Sequence, residues 1–209
     1  STMKVAAVIL AAGEGTRMKS AQPKVLHRLC GRPMIEYVIE AVKKAGIERI
    51  ILVVGHWAEE ARRAVGPGVK LVIQKEPLGS GHALEMAESS LRDFEGIILV
   101  LCGDTPLLRA ETLRDFVNYH NQNQVSATIL TAFLKIPTGY GRIIRNSQGI
   151  VERIVEEKDA TADERKICEI NSGVYCFDKA NVFRALRQIK SKNKQKEFFL
   201  TDAIEILKN

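Results

Sequence analysis

No hydrophobic run in this chain approaches the ~20 residues that a bilayer-spanning helix needs, which argues against a membrane anchor. Cysteine is sparse: Cys30, Cys102, Cys168 and Cys176 lie far apart, without the paired spacing of a zinc site or the density of a disulfide scaffold. Reduced, mostly buried thiols and a cytoplasmic location are the expectation. Aromatic residues make up 6% of the chain, and none interrupts the basic stretch at residues 190–196. Without interleaved aromatics that stretch reads as a solvated loop, and no nucleic-acid partner is expected. No secretory leader pattern occurs, because the first apolar run is short and leads straight into glycines. Neither an internal repeat nor a low-complexity tract is present. What remains is ordinary for a soluble globular protein: 209 residues, 45% hydrophobic, 27% charged, net charge +6. That length allows one domain, expected over residues 3–209, with a sizeable core. The modest positive charge favours anionic ligands in general.

The richest segment is VAAVILAAGEGTRMKSAQPK, residues 5–24. Residues 5–10 read as a strand buried on both faces, and Leu10, Ala11, Ala12 and Gly13 lead into a loop at its carboxyl end. Small residues let the backbone N–H groups approach phosphate oxygens, and Arg17 and Lys24 add two cations to the same corner. The loop lacks the G-x-x-x-x-G-K-[ST] pattern, and Gly13-x-Gly15 has no third glycine at the dinucleotide-binding spacing. A lone Gly-x-Gly is equally compatible with plain turn chemistry.

Strand-like and helix-like patterns alternate along the first two-thirds of the chain. Helices are expected at residues 33–44, 58–65, 81–89 and 110–121. Strands are expected at 49–54, 70–73, 97–101 and 127–133. Alternation of this kind predicts an α/β fold: a Rossmann-like, mostly parallel sheet with helices on both faces, its ligands beyond the carboxyl ends of the strands. Beyond residue 137 the texture changes. A hairpin is expected at 143–145 and 150–156, a strand at 169–177, and helices at 179–186 and 201–207, the last capped by Thr201 or Asp202. This later part reads as a small β-rich subregion added to the sheet.

Three loops that leave strands carry the candidate chemistry. Asp104, in Leu-Cys-Gly-Asp-Thr-Pro, follows the buried run at 97–101; facing a phosphate loop it suits Mg²⁺, and otherwise it opens a turn before Pro106. Gln74 ends a strand. Its amide has both a donor and an acceptor for the imide edge of uracil, yet a flipped amide satisfies cytosine too. Gly79 permits a close backbone approach, and Ser80 is either a ligand or a helix cap. None of the four histidines calls for a catalytic role, and His82 is expected to brace the helix start in Gly-Ser-Gly-His-Ala.

Eight strings occur in one order across nearly the whole chain: AAGEGTRM, PKVLH, GSGHA, LCGDTPLL, PTGYGRI, IVEEKDAT, EINSGVY and FFLTDAI. Together they closely resemble the uridylyltransferase (pyrophosphorylase) domain of the bacterial N-acetylglucosamine-1-phosphate uridylyltransferases, a nucleotide-diphospho-sugar transferase type of fold. The resemblance implies UTP, N-acetylglucosamine 1-phosphate, UDP-N-acetylglucosamine and pyrophosphate as ligands, with Mg²⁺ on Asp104. It assigns the uridine to Leu10, Ala11, Ala12, Gly13, Gln74, Gly79 and Ser80, with Cys102 and Gly103 lining the nucleotide beside the metal. Arg17 and Lys24 would grip phosphates; Gly141, Glu156 and Asn171 would meet the sugar.

Two departures accompany it. Ser80 stands where related sequences usually carry Thr. The family's domain also continues roughly twenty residues past the Leu-Thr-Asp motif, to an Asn that is a second protein ligand of Mg²⁺. That segment and the left-handed β-helix acetyltransferase domain of bifunctional members are not in this sequence, so a monomer is expected. A transferase for another sugar phosphate and a silent nucleotide-sugar sensor are the alternative readings.

Overall fold

The computed structural model describes residues 3–13, 28–29, 31–103, 105, 108–192 and 197–208. In chain order these form β1 (Val5–Ala11), β2 (Arg28–Leu29), β3 (Arg32–Pro33), α1 (Met34–Lys44), β4 (Arg49–Val54), α2 (Ala58–Ala64) and β5 (Val69–Ile73). There follow α3 (Ser80–Met86), β6 (Ile97–Cys102), α4 (Ala110–Asn123), β7 (Ala127–Phe133), β8 (Arg142–Arg145) and β9 (Val151–Val155). The last elements are α5 (Ala162–Arg165), β10 (Glu169–Asp178), α6 (Lys179–Lys192) and α7 (Leu200–Leu207). β2 and β3 pair only with each other; the remaining strands share one sheet.

Half of that sheet is parallel, in the order β5-β4-β1-β6. β1 lies at its centre, and its side chains divide with the two-residue period of a strand. Ala7, Ile9 and Ala11 face α1, α2 and α4, against Ile35, Val38, Ala61 and Leu113. Ala6 and Val8 face α3, α6 and α7, against Leu84, Phe183 and Ile204. A helix layer on each face explains why β1, β4 and β6 are apolar at nearly every position. α1 begins after Pro33, whose fixed φ needs no N–H there, and its last turn is followed by Gly46 with φ +86°.

The other half is antiparallel and built around β10. Val174–Asp178 pairs with β6 while its other edge pairs with β7. A bulge between Asn171 and Val174 shifts the register, and beyond it Ile170 pairs with Arg142 of β8. β8 and β9 form the expected hairpin, closed by Asn146, whose Oδ1 accepts the N–H groups of Gln148 (2.9 Å) and Ile150 (3.0 Å). The β-rich subregion is therefore an extension of the main sheet.

Several boundaries differ from the sequence expectations. α3 starts at Ser80 with Gly79 in the N-cap position, so Ser80 does not cap it. α7 starts at Leu200 with Phe199 in the N-cap position; Asp202 caps from within, accepting the Phe199 N–H at 3.0 Å. α6 runs on to Lys192 because Ile189 extends the buried stripe of Val182, Phe183 and Leu186. Lys190, expected in a loop, is helical and pairs with Glu85 at 2.6 Å.

Candidate active site

The crossovers from β1 lead one way to β4 and β5, whereas β6 lies on its other side. The strand order thus reverses between β1 and β6, and open α/β sheets bind ligands at the carboxyl ends of such strands. Leu10 sits at this point, in register with Val53 on one side and Cys102 on the other. Its carbonyl accepts the Gly103 N–H at 3.0 Å, which ties the two loop origins together. Ala12 packs close to Gly55, where an added Cβ would lie 3.2 Å from the Ala12 carbonyl oxygen. Among the described residues, nothing lies within 4 Å of where a Cβ on Gly13 would stand. Beyond Gly103, the Thr105 hydroxyl donates back to the Cys102 carbonyl at 2.8 Å. Arg17, Lys24 and Asp104 lie outside the described residues.

A second loop, after β5, is held by contacts remote in sequence. Gln74 continues from β5, its N–H donating to the Val54 carbonyl at 2.8 Å, and its side chain is buried. The amide nitrogen lies 3.3 Å from the Gly79 carbonyl and 2.7 Å from His82 Nδ1. Both contacts hold the side chain against the start of α3. His82 braces the helix start as expected, with its ring edge-on to Phe198 at 5.9 Å. Burial holds its pKa below the ordinary imidazole value. The Ser80 hydroxyl accepts the Leu200 N–H at 2.9 Å, and Gly81 N–H donates to the Phe198 carbonyl at 3.1 Å.

A cavity of about 900 Å³ opens where β6, β10 and the segment from Thr138 to Gly141 meet. Ser80, Cys102, Gly141, Glu156 and Asn171 line it, so five of the expected ligand residues, remote in sequence, share one hollow. Leu10, Ala11, Ala12, Gly13, Gln74, Gly79 and Gly103 are not on its wall; hydrogen bonds join Leu10 to Gly103 and Gln74 to Gly79. Gly141 leaves the Glu156 carboxylate uncovered: a Cβ there would stand 3.5 Å from both carboxylate oxygens and 3.1 Å from Ile154 Cγ2. Burial, reinforced by Asp159, raises the Glu156 pKa above the ordinary carboxylate value. Asn171 donates its backbone N–H to the Gly141 carbonyl at 2.9 Å. Its side-chain amide donates to the Tyr175 hydroxyl at 2.5 Å and accepts the Gly173 N–H at 3.0 Å.

Arg142, which the sequence analysis passed over, is the scaffold of this wall. It is 2% exposed and donates to the carbonyls of Tyr140, Arg165 (3.1 Å) and Ile167 (3.2 Å), and to Glu157. An arginine directly after Tyr140-Gly141 gives no sign of burial in the sequence alone. Thr161 was legible: Thr161-Ala-Asp-Glu164 is a capping box, with Glu164 N–H to Thr161 Oγ1 at 3.2 Å and Thr161 N–H to Glu164 Oε1 at 2.9 Å. Among the described residues, no three His, Cys, Asp or Glu side chains gather as a metal site, and no helix is long and apolar enough to cross a membrane.

A half-parallel β-α sheet with small residues at the end of its central strand and a polar cavity beside it defines an α/β domain with a ligand site at its strand ends. Residues 7–202 match the MobA-like NTP transferase domain, and the chain belongs to that family. It is 53% identical over 207 residues to the bifunctional protein GlmU of Alkaliphilus oremlandii, covering 99% of this chain and 45% of that protein. The GlmU proteins of Halalkalibacterium halodurans and Bacillus subtilis are 51% and 49% identical over 96% and 97% of this chain. The chain spans less than half the length of these relatives.

Proposed function

We propose that residues 3–209 form a cytoplasmic nucleotidyltransferase domain that converts UTP and N-acetylglucosamine 1-phosphate to UDP-N-acetylglucosamine and pyrophosphate. The observation that carries this reading is the shared cavity: Ser80 and Cys102 reach it from the switch-point side, and Gly141, Glu156 and Asn171 from the antiparallel side. A sugar phosphate held by the second group would meet a nucleotide held by the first.

An oxygen of the sugar phosphate attacks the α-phosphorus of UTP, and the bond from that phosphorus to the β-phosphate bridging oxygen breaks in line. The attacking phosphate is already an anion, so no general base is required, and catalysis rests on alignment and charge neutralisation. Backbone N–H groups after β1, with Arg17 and Lys24, stabilise the departing pyrophosphate. The Gly141 N–H meets the acetamido carbonyl, while Glu156 and Asn171 meet sugar hydroxyls. Gln74 meets the base with its amide oxygen.

Mg²⁺ suits this site through hard oxygen donors: the Asp104 carboxylate, water and substrate phosphates. Held by Asp104, such an ion would supply neutralisation of phosphate charge.

Pyrophosphate release from UTP with N-acetylglucosamine 1-phosphate and Mg²⁺, with Asp104→Ala measured beside it, tests the reading. Release that disappears in a folded Asp104→Ala variant is expected. A wild-type rate in that variant removes Asp104 from the metal site, and a folded wild-type protein that releases nothing overturns the reaction. A panel of other nucleotides and sugar phosphates reports the substrate class.

A further inference from the structure

The orientation of the Gln74 amide bears on which base the site accepts. A backbone carbonyl only accepts hydrogen bonds, so the atom 3.3 Å from the Gly79 carbonyl must be the amide nitrogen. The other N–H of that nitrogen points at His82 Nδ1, 2.7 Å away, which must then be an acceptor. His82 is therefore neutral with its proton on Nε2. With both amide N–H groups engaged by the protein, the atom Gln74 presents to a base is its oxygen.

An acceptor at that place matches the N3–H of an imide, as in uracil or thymine. Cytosine has a lone pair at N3 and would set it against the amide oxygen. Flipping the amide to suit cytosine would turn its oxygen toward the Gly79 carbonyl, a repulsive contact in a buried setting, and would require the His82 proton to move from Nε2 to Nδ1. We propose that His82 is a positioning residue that, together with the Gly79 carbonyl, orients the Gln74 amide and so makes the site select an imide base against cytosine. The proposal rests on the reading that Gln74 meets the base.

The surroundings suit the role. Phe198 packs edge-on against the imidazole, and among the described residues Glu76 after β5, Glu85 on α3 and Lys190 on α6 are the charged groups facing it. Burial is the largest influence on His82 and favours the neutral ring. Protonation would place a donor at Nδ1 against the amide N–H, weakening the lock at acid pH.

The test compares kcat/KM for UTP and CTP, and their equilibrium binding, in the wild type, His82→Phe, His82→Asn and Gln74→Ala. His82→Phe keeps a ring against Phe198 but removes the acceptor; the UTP-over-CTP ratio should fall about tenfold or more, through KM more than kcat. His82→Asn retains an acceptor oxygen and should recover most of the ratio. In the wild type, KM for UTP should rise at acid pH more steeply than in His82→Asn, a readout that remains if His82→Phe does not fold. A wild-type ratio in folded His82→Phe, or identical pH profiles for wild type and His82→Asn, overturns the lock. If Gln74→Ala changes neither UTP nor CTP affinity, the underlying reading of Gln74 fails instead.

Discussion

The hydroxyl of Ser80 accepts the backbone N–H of Leu200 at 2.9 Å, joining positions 120 apart in sequence. The bond ties the first residue of α3, at the edge of the candidate site, to the first residue of α7. Helix starts have unpaired N–H groups, so Ser80 serves the neighbouring helix as a cap usually serves its own. Ser80→Ala should cost about 1 kcal/mol of stability, as the loss of a cap does, while Ser80→Thr should be nearly neutral. Urea denaturation of both variants checks this, and equal losses would count against the hydroxyl.

Gly79 holds the same junction from the other side. Its φ is +98°, and a Cβ there would fall 2.3 Å from the Phe198 carbonyl oxygen. Backbone cannot give way as a side-chain tip does, so Gly79→Ala must push residue 198 off the loop and strain its own backbone. A loss of more than about 2 kcal/mol is expected, with weakened UTP binding. Denaturation and nucleotide titration measure the two effects, and a stable, tightly binding variant would contradict this geometry.

Arg142 predicts a stability effect away from the phosphates. Arg142→Met retains much of the bulk but leaves three carbonyls and Glu157 without their donor. A destabilisation of about 3 kcal/mol is expected from buried acceptors losing their partner. The Arg142 guanidinium also holds the Glu157 carboxyl below the ordinary value of 4.5. A carboxyl with a depressed folded pKa adds stability above its unfolded pKa and loses it as pH falls through the folded one. Glu157→Gln should therefore be less stable than the wild type above about pH 4.5 and show a shallower further loss below it, which denaturation at a series of pH values measures.

Glu156 has the opposite sign. Burial raises its folded pKa above the unfolded value of 4.5, so between those two values the folded state binds more protons. Stability then falls as pH rises through that window, and the penalty persists above it. Glu156→Gln should raise Tm above the window and leave it unchanged below the ordinary glutamate range. In the proposed reaction it should also raise KM for the sugar phosphate about tenfold, because a charged acceptor is lost. Thermal melts against pH and acceptor kinetics check both, and unchanged kinetics would remove Glu156 from the sugar site.

Local pattern alone made much of this protein legible. The apolar run at residues 5–10 announced a strand covered on both faces, and the spacing of Ile35, Val38, Ile39 and Val42 announced α1, because such periods follow from backbone geometry within a few residues. The hairpin at Asn146–Gly149 was readable for the same reason. Only the tertiary structure decided that β10 exchanges β6 for β8 at its bulge. It alone buried Arg142 beneath the site wall and set the Ser80 hydroxyl on Leu200. The sequence left the Gln74 amide free to face either way; the fold sets the Gly79 carbonyl and the His82 ring against it. Each of these depends on partners that neighbouring residues do not specify, since a side chain's hydrogen bonds are chosen by whichever groups the packed sheet and helices deliver to it.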